Sequence, residues 1–142
     1  METVHGTSVA LDGGGVLLRG PSGSGKSDLA LRLIDGGAAL VADDQTALSR
    51  KGEEILASAP PQIAGRMEVR GLGVIRLSAV SDIPVRIVVD IVPADEVERL
   101  PKPAETMLLG VALPVLRLAA FEASTPAKIR LAVGLAPEEI ER

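Results

Sequence analysis

The residues Gly20-Pro21-Ser22-Gly23-Ser24-Gly25-Lys26-Ser27 occupy every fixed position of the pattern G-x-x-x-x-G-K-[ST]. Glycines and small serines let a backbone wrap a polyphosphate with successive N–H groups pointing inward. The start of a helix placed behind such a loop adds unpaired donors and a positive dipole. The ammonium of Lys26 then reaches the outer phosphates, and the Ser27 hydroxyl takes a place on Mg²⁺. This is the chemistry of a nucleotide that gives up a phosphoryl group.

Such a loop needs acids to hold its metal, and two stretches offer them. Ile87-Val88-Val89-Asp90 is an apolar strand carrying an Asp. Leu40-Val41-Ala42-Asp43-Asp44 is an apolar strand ending in paired carboxylates. Neighbours on a strand point to opposite faces, so one of Asp43 and Asp44 can face the site while the other supports it. The one facing the site suits a base that takes a proton from a hydroxyl. From spacing alone, either stretch also reads as an acid at a strand end.

The elements that must position these groups follow from pattern. Gly15-Val16-Leu17-Leu18 leads into the loop as a strand. Asp28-Leu29-Ala30-Leu31-Arg32-Leu33-Ile34 leaves it with helical apolar spacing, and Gly36-Gly37 stops the helix. Residues 7–11 and 15–19 predict a hairpin around Asp12-Gly13-Gly14, and residues 38–42 a buried strand. Residues 46–50 and 54–58 predict a second hairpin, and residues 67–70 and 74–77 bracket Gly71-Leu72-Gly73. Residues 86–92 form the strongest strand, β-branched and nearly continuous. Residues 94–100 predict a short helix, broken by Pro101 and Pro103. Residues 108–113 are ambiguous. Residues 118–133 read as a helix with Pro126 at a break or a fresh first turn, and residues 137–142 as a short acidic helix.

The 142 residues predict one domain, 1–142, able to bury a core of Leu, Val, Ile and Ala. Phe121 is the sole aromatic residue and reads as a core anchor. The absence of Tyr and Trp argues against single-stranded nucleic-acid binding. A net charge of −4 without a dense basic run argues against a DNA surface. No cysteine is present, which removes thiol chemistry and is compatible with the cytosol. The first residues lack a basic stretch followed by an apolar one, and every long apolar run is broken short of a membrane span.

The set formed by His5-Gly6 on the first strand, the loop, Leu40-Val41-Ala42-Asp43-Asp44 and Met67-Glu68-Val69-Arg70-Gly71-Leu72-Gly73-Val74-Ile75 resembles the catalytic domain of the HPr kinase/phosphorylase family, in order and in the gap from Ser27 to Asp44. The likeness covers roughly residues 1–100. It implies an α/β phosphate-loop kinase domain with a mixed sheet and flanking helices, similar to the nucleotide domain of phosphoenolpyruvate carboxykinase. It implies ATP- and Mg²⁺-dependent phosphorylation of a serine on HPr, the small carrier protein of the phosphotransferase system. By this resemblance, Gly20, Pro21, Ser22, Gly23, Ser24, Gly25, Lys26 and Ser27 bind the ATP phosphates, and Ser27 and Glu68 hold Mg²⁺. Asp44 accepts the proton, and His5 and Lys26 belong to the catalytic set. Arg99 falls where the family has a catalytic arginine, at shorter spacing. Self-association and a cytoplasmic location are also expected.

The sequence also departs from the family. It resembles the short stand-alone form, without the N-terminal domain of full-length members. The family's Pro-Val-x-Pro-Gly-Arg stretch, tied to removing the phosphate, is here Pro114-Val115-Leu116-Arg117-Leu118. Weak or absent phosphorylase activity is therefore expected. Two rivals stand beside this reading: a small-molecule or nucleotide kinase, and an ATP-sensing regulatory module with little turnover. A GTPase is disfavoured because no Asn-Lys-x-Asp motif is present.

Overall fold

The computed structural model describes residues 1–135 and 137–141. Its strands, in chain order, are β1 Glu2–His5, β2 Thr7–Leu11, β3 Gly14–Arg19, β4 Ala39–Ala42, β5 Gln45–Lys51, β6 Glu54–Ser58, β7 Arg66–Val69, β8 Gly73–Arg76, β9 Ile83–Ile91, β10 Glu105–Leu108 and β11 Val111–Leu118. The helices are α1 Lys26–Asp35 and α2 Thr125–Gly134. Among the described residues, nine strands form one mixed sheet with the path β1-β5-β6-β9-β3-β2-β4, and β7 and β8 form a separate ribbon. This is an α/β fold with few helices.

Strand β9 is the centre of the sheet because its β-branched run can be buried on both faces. Ile87, Val89 and Ile91 join the core beneath the helices, while Val88 joins the core on the other face. Along one edge β9 pairs in parallel with β3. Along the other it pairs antiparallel with β6 at its start and parallel with β11 at its end. Three parallel strands, β3, β9 and β11, therefore end side by side. The guanidinium of Arg19 binds both oxygens of its neighbour Asp90, at 2.7 and 3.0 Å, and locks β3 to β9. Asp90 is thereby committed to the sheet.

Helix α1 buries Leu29, Ala30 and Leu33 against one face of the sheet, and α2 adds Ile129 and Val133. The helix begins at Gly25, whose φ of +103° is left-handed and favours glycine. A Cβ there would stand 2.7 Å from both Ala120 Cβ and Phe121 Cζ, so the loop lies directly against the segment following β11.

Several sequence expectations are corrected. Residues 94–100 form only one 3-10 turn, Ala94–Glu96, since Val97 is extended and the prolines beyond it block continuation. Arg99 is exposed on the bend that follows. Residues 105–118 form the hairpin β10–β11, so the chain is still a strand at Leu118 and α2 starts only at Thr125, with Pro126 in its first turn. The closing acidic segment is a 3-10 turn at Pro137–Glu139, and Arg142 lies outside the described residues. Phe121 is no core anchor: it is 68% exposed. No helix among the described residues is long and apolar enough to cross a membrane.

Candidate active site

The loop 20–27 joins β3 to α1 and forms one wall of a cleft of about 450 Å³. Lys26 and Ser27 line this cleft with Asp44, Glu68 and Arg70. Lys26 is buried, and its Nζ donates to the carbonyl oxygens of Gly20 at 2.7 Å and Pro21 at 3.0 Å. The ammonium is thus fixed at the mouth of the loop.

The paired acids lie at the bend between β4 and β5, and their side chains part there. Asp43 points inward and is buried beneath the cleft, while Asp44 turns outward with its side chain 68% exposed. A left-handed backbone at Asp44, φ 67°, makes this turn, a conformation that Asp tolerates better than most residues. The Asp43 carboxylate collects three donors. Ser27 Oγ donates to Oδ1 at 2.7 Å, Thr7 Oγ1 to Oδ1 at 3.3 Å, and the Glu68 backbone N–H to Oδ2 at 3.1 Å. One buried anion therefore ties the first turn of α1 to β2 and to the β7–β8 ribbon.

His5 reaches the site because the chain bends between β1 and β2. There the Gly6 N–H donates to the Asp44 carbonyl at 2.8 Å, while β1 pairs with β5 and β2 with β4. The two strand-to-strand bends run side by side, and His5 Nε2 stands 3.0 Å from Asp44 Oδ1. The Asp44 N–H donates to Thr7 Oγ1 at 3.0 Å, so the turn carrying the exposed carboxylate is held from below. Glu68 is placed by its neighbour. Met67 is 1% exposed and packs into the helix-side core, which turns Glu68 out to the cleft.

The structure thus brings Lys26, Ser27, Asp44 and Glu68 around one cleft, and His5 joins them through its contact with Asp44. It does not bring Arg99, which is absent from the lining of that cleft. Sequence reasoning misses Thr7, whose only signal is a polar residue next to a glycine in an apolar strand. It also misses Phe121 at the rim of the cleft, whereas Arg70 belongs to the stretch Met67–Arg76 that the family resemblance places at the catalytic region.

Against known proteins, the model of the HPr serine kinase C-terminal domain matches residues 1–129. The chain belongs to this family. It is 40% identical over 129 residues to an HPr kinase/phosphorylase of Prosthecochloris aestuarii, covering 82% of this chain and 38% of that one. A second HPr kinase/phosphorylase, from Chlorobium chlorochromatii, is 42% identical over 130 residues, covering 82% and 39%. The chain therefore spans about two fifths of the length of the curated relatives it matches. The HPr(Ser) kinase/phosphatase of Coxiella burnetii superposes with a TM-score of 0.82 at 26% identity, over 94% of this chain and 88% of that one. This likeness accounts for the fold.

Proposed function

We propose that this domain is an ATP- and Mg²⁺-dependent kinase that phosphorylates a serine of HPr. The observation that carries the reading is the exposed Asp44 carboxylate in one cleft with Lys26, 3.0 Å from His5 and next to the buried Asp43 hub. In this reading the loop 20–27 binds the ATP phosphates through its backbone N–H groups, as in the phosphate-loop fold shared with the nucleotide domain of phosphoenolpyruvate carboxykinase. Lys26 leaves its loop carbonyls for the outer phosphates.

The serine oxygen attacks the γ-phosphorus in line as the bond to the bridging oxygen of ADP breaks, and Asp44 takes the hydroxyl proton. His5 fixes the orientation of that carboxylate. Ser27 and Glu68 would supply oxygen ligands for Mg²⁺, a hard cation that takes few protein ligands. One hydroxyl and one carboxylate fit such an ion, and no group of three His, Cys, Asp or Glu among the described residues forms a metal cage of its own. When bound, the ion offsets charge on the transferring phosphoryl group. Arg70 lines the cleft and is the nearer candidate to assist it. Arg99 keeps the role that the family resemblance assigns it as a proposal.

Weak or absent phosphorylase activity is part of the reading. Arg117 sits within β11, pairs in register with Asp90 of β9, and donates to Glu96 Oε1 at 2.9 Å. A regular strand replaces the flexible segment that the reverse reaction uses in the family. A cytoplasmic, self-associating protein completes the proposal. Incubation with γ-labelled ATP and purified HPr, followed by phosphosite mapping, tests it. Label on one HPr serine is expected; ATP binding without label on HPr would move the domain to the sensing or small-molecule class.

A further inference from the structure

A second crevice, of about 460 Å³, opens against the same loop. Ile91 and Pro93 form one wall, Ala119 and Phe121 the other, and Ser24 and Glu122 bring polar atoms to it. We infer that this crevice holds the nucleobase of the nucleotide, stacked on Phe121. The inference rests on the proposed reading of the loop as a polyphosphate site.

Five observations converge. The crevice lies beyond the carboxyl ends of the parallel strands β9 and β11, where α/β sheets bind ligands outside their strand ends. It shares Gly23 and Phe121 with the acid-lined cleft, so one elongated ligand can cross the loop from the acids to the crevice. Its volume falls within the roughly 300–1,000 Å³ of small-molecule sites, and its walls are mostly apolar.

Phe121, the sole aromatic residue of the chain, is exposed here and held in place. Arg32 of α1 donates to the carbonyl oxygens of both Ala120 and Glu122, fixing the backbone on each side of the ring. An exposed, immobilised ring beside a polyphosphate loop suits the face of a purine. Finally, Ser24 Oγ is buried without a hydrogen-bond partner among the described residues, and Ser24 lines the crevice. A buried hydroxyl without a partner is costly unless a ligand completes it, and a ribose hydroxyl does so.

The two carbonyls beside the ring are occupied by Arg32, and Pro93 has no N–H. The crevice therefore reads a flat face more than a base edge, and adenine and guanine nucleotides should bind with similar affinity.

The test compares ATP with inorganic tripolyphosphate, each with Mg²⁺, by calorimetry. Wild-type protein should bind ATP more tightly than tripolyphosphate. Phe121→Ala should weaken ATP by about tenfold or more, the usual loss when an aromatic stacking partner is removed, and leave tripolyphosphate unchanged. The ring is exposed, so the variant should fold. Phe121→Trp should retain ATP affinity. It also gives the chain a single tryptophan, whose fluorescence ATP should quench and tripolyphosphate should not.

Equal affinity of the wild type for both ligands, or an equal loss for both in Phe121→Ala, would overturn the inference while leaving the loop as a phosphate site. A Phe121→Ala variant in which only the KM for a protein substrate changes would overturn it too, and would make the crevice a docking groove. Binding of neither ligand by the wild type would remove the phosphate-site reading itself, and this inference with it.

Discussion

The Ser27 hydroxyl donates to Oδ1 of Asp43 at 2.7 Å, sixteen residues away in sequence. This bond joins the start of α1 to the end of β4 and sets the floor of the cleft. Asp43 is buried and satisfied by three donors, whereas its neighbour Asp44 is exposed. The two carboxylates should therefore fail differently. Asp43→Ala leaves the buried Thr7 hydroxyl and the Glu68 N–H without their acceptor, and should lower the unfolding free energy by about 2–3 kcal/mol. Asp44→Asn keeps a residue that tolerates the left-handed backbone and should change it by less than about 0.5 kcal/mol. Urea unfolding followed by circular dichroism measures both. Equal destabilisation would contradict the division of labour.

Lys26→Ala removes the donor to the Gly20 and Pro21 carbonyls along with the charge at the loop mouth. MgATP affinity should fall and phosphoryl transfer should drop by about 10²-fold or more, with the fold retained. Calorimetry with a parallel activity assay reads both quantities. Unchanged affinity together with unchanged turnover would reject the loop as the nucleotide site.

Much of this arrangement is legible in the sequence. The loop, β3, α1 and β9 follow from a fixed motif, helical apolar spacing and a β-branched run, all local signals. Asp43 and Asp44 are legible as a pair, and alternation implies that one supports the other. The hairpin β10–β11 is not legible, because Pro114 interrupts its pattern. Pro114 is tolerated where it lies opposite Glu105 at the open end of the hairpin, before β11 begins its pairing with β9 at Val115. Phe121 escapes a sequence reading because an apolar residue type does not say which face it takes, and only packing against the loop places it. Thr7 and the floor of the cleft depend on two bends meeting across the sheet, a contact no local pattern encodes.

Gly25 and Gly23 offer a graded test of the loop. Both have positive φ, +103° and +81°, so a side chain costs about 1–2 kcal/mol at either position. Only at Gly25 would the new Cβ also strike Ala120 and Phe121; at Gly23 it meets nothing within 4 Å. Gly25→Ala should therefore weaken MgATP binding by at least about tenfold more than Gly23→Ala, measured by calorimetry on folded protein. The reverse order would show that the loop is not shaped by its contact with the segment after β11.

Arg117 is held by Glu96 within a regular strand, so the reverse reaction should be slow. Serine-phosphorylated HPr with excess orthophosphate should yield little pyrophosphate. Phosphate-dependent release at a rate comparable to the forward reaction would show that the altered segment suffices for phosphorolysis.

In the proposed function, phosphoryl transfer turns on Asp44 accepting the proton of a protein serine. The most direct measurement is the single-turnover rate of phosphoserine formation on HPr, with saturating MgATP, for wild type and Asp44→Asn. The variant should bind MgATP with affinity within about threefold of wild type and transfer phosphate about 10²- to 10⁴-fold more slowly, the usual contribution of a positioned base. Transfer by Asp44→Asn at the wild-type rate would contradict the central claim.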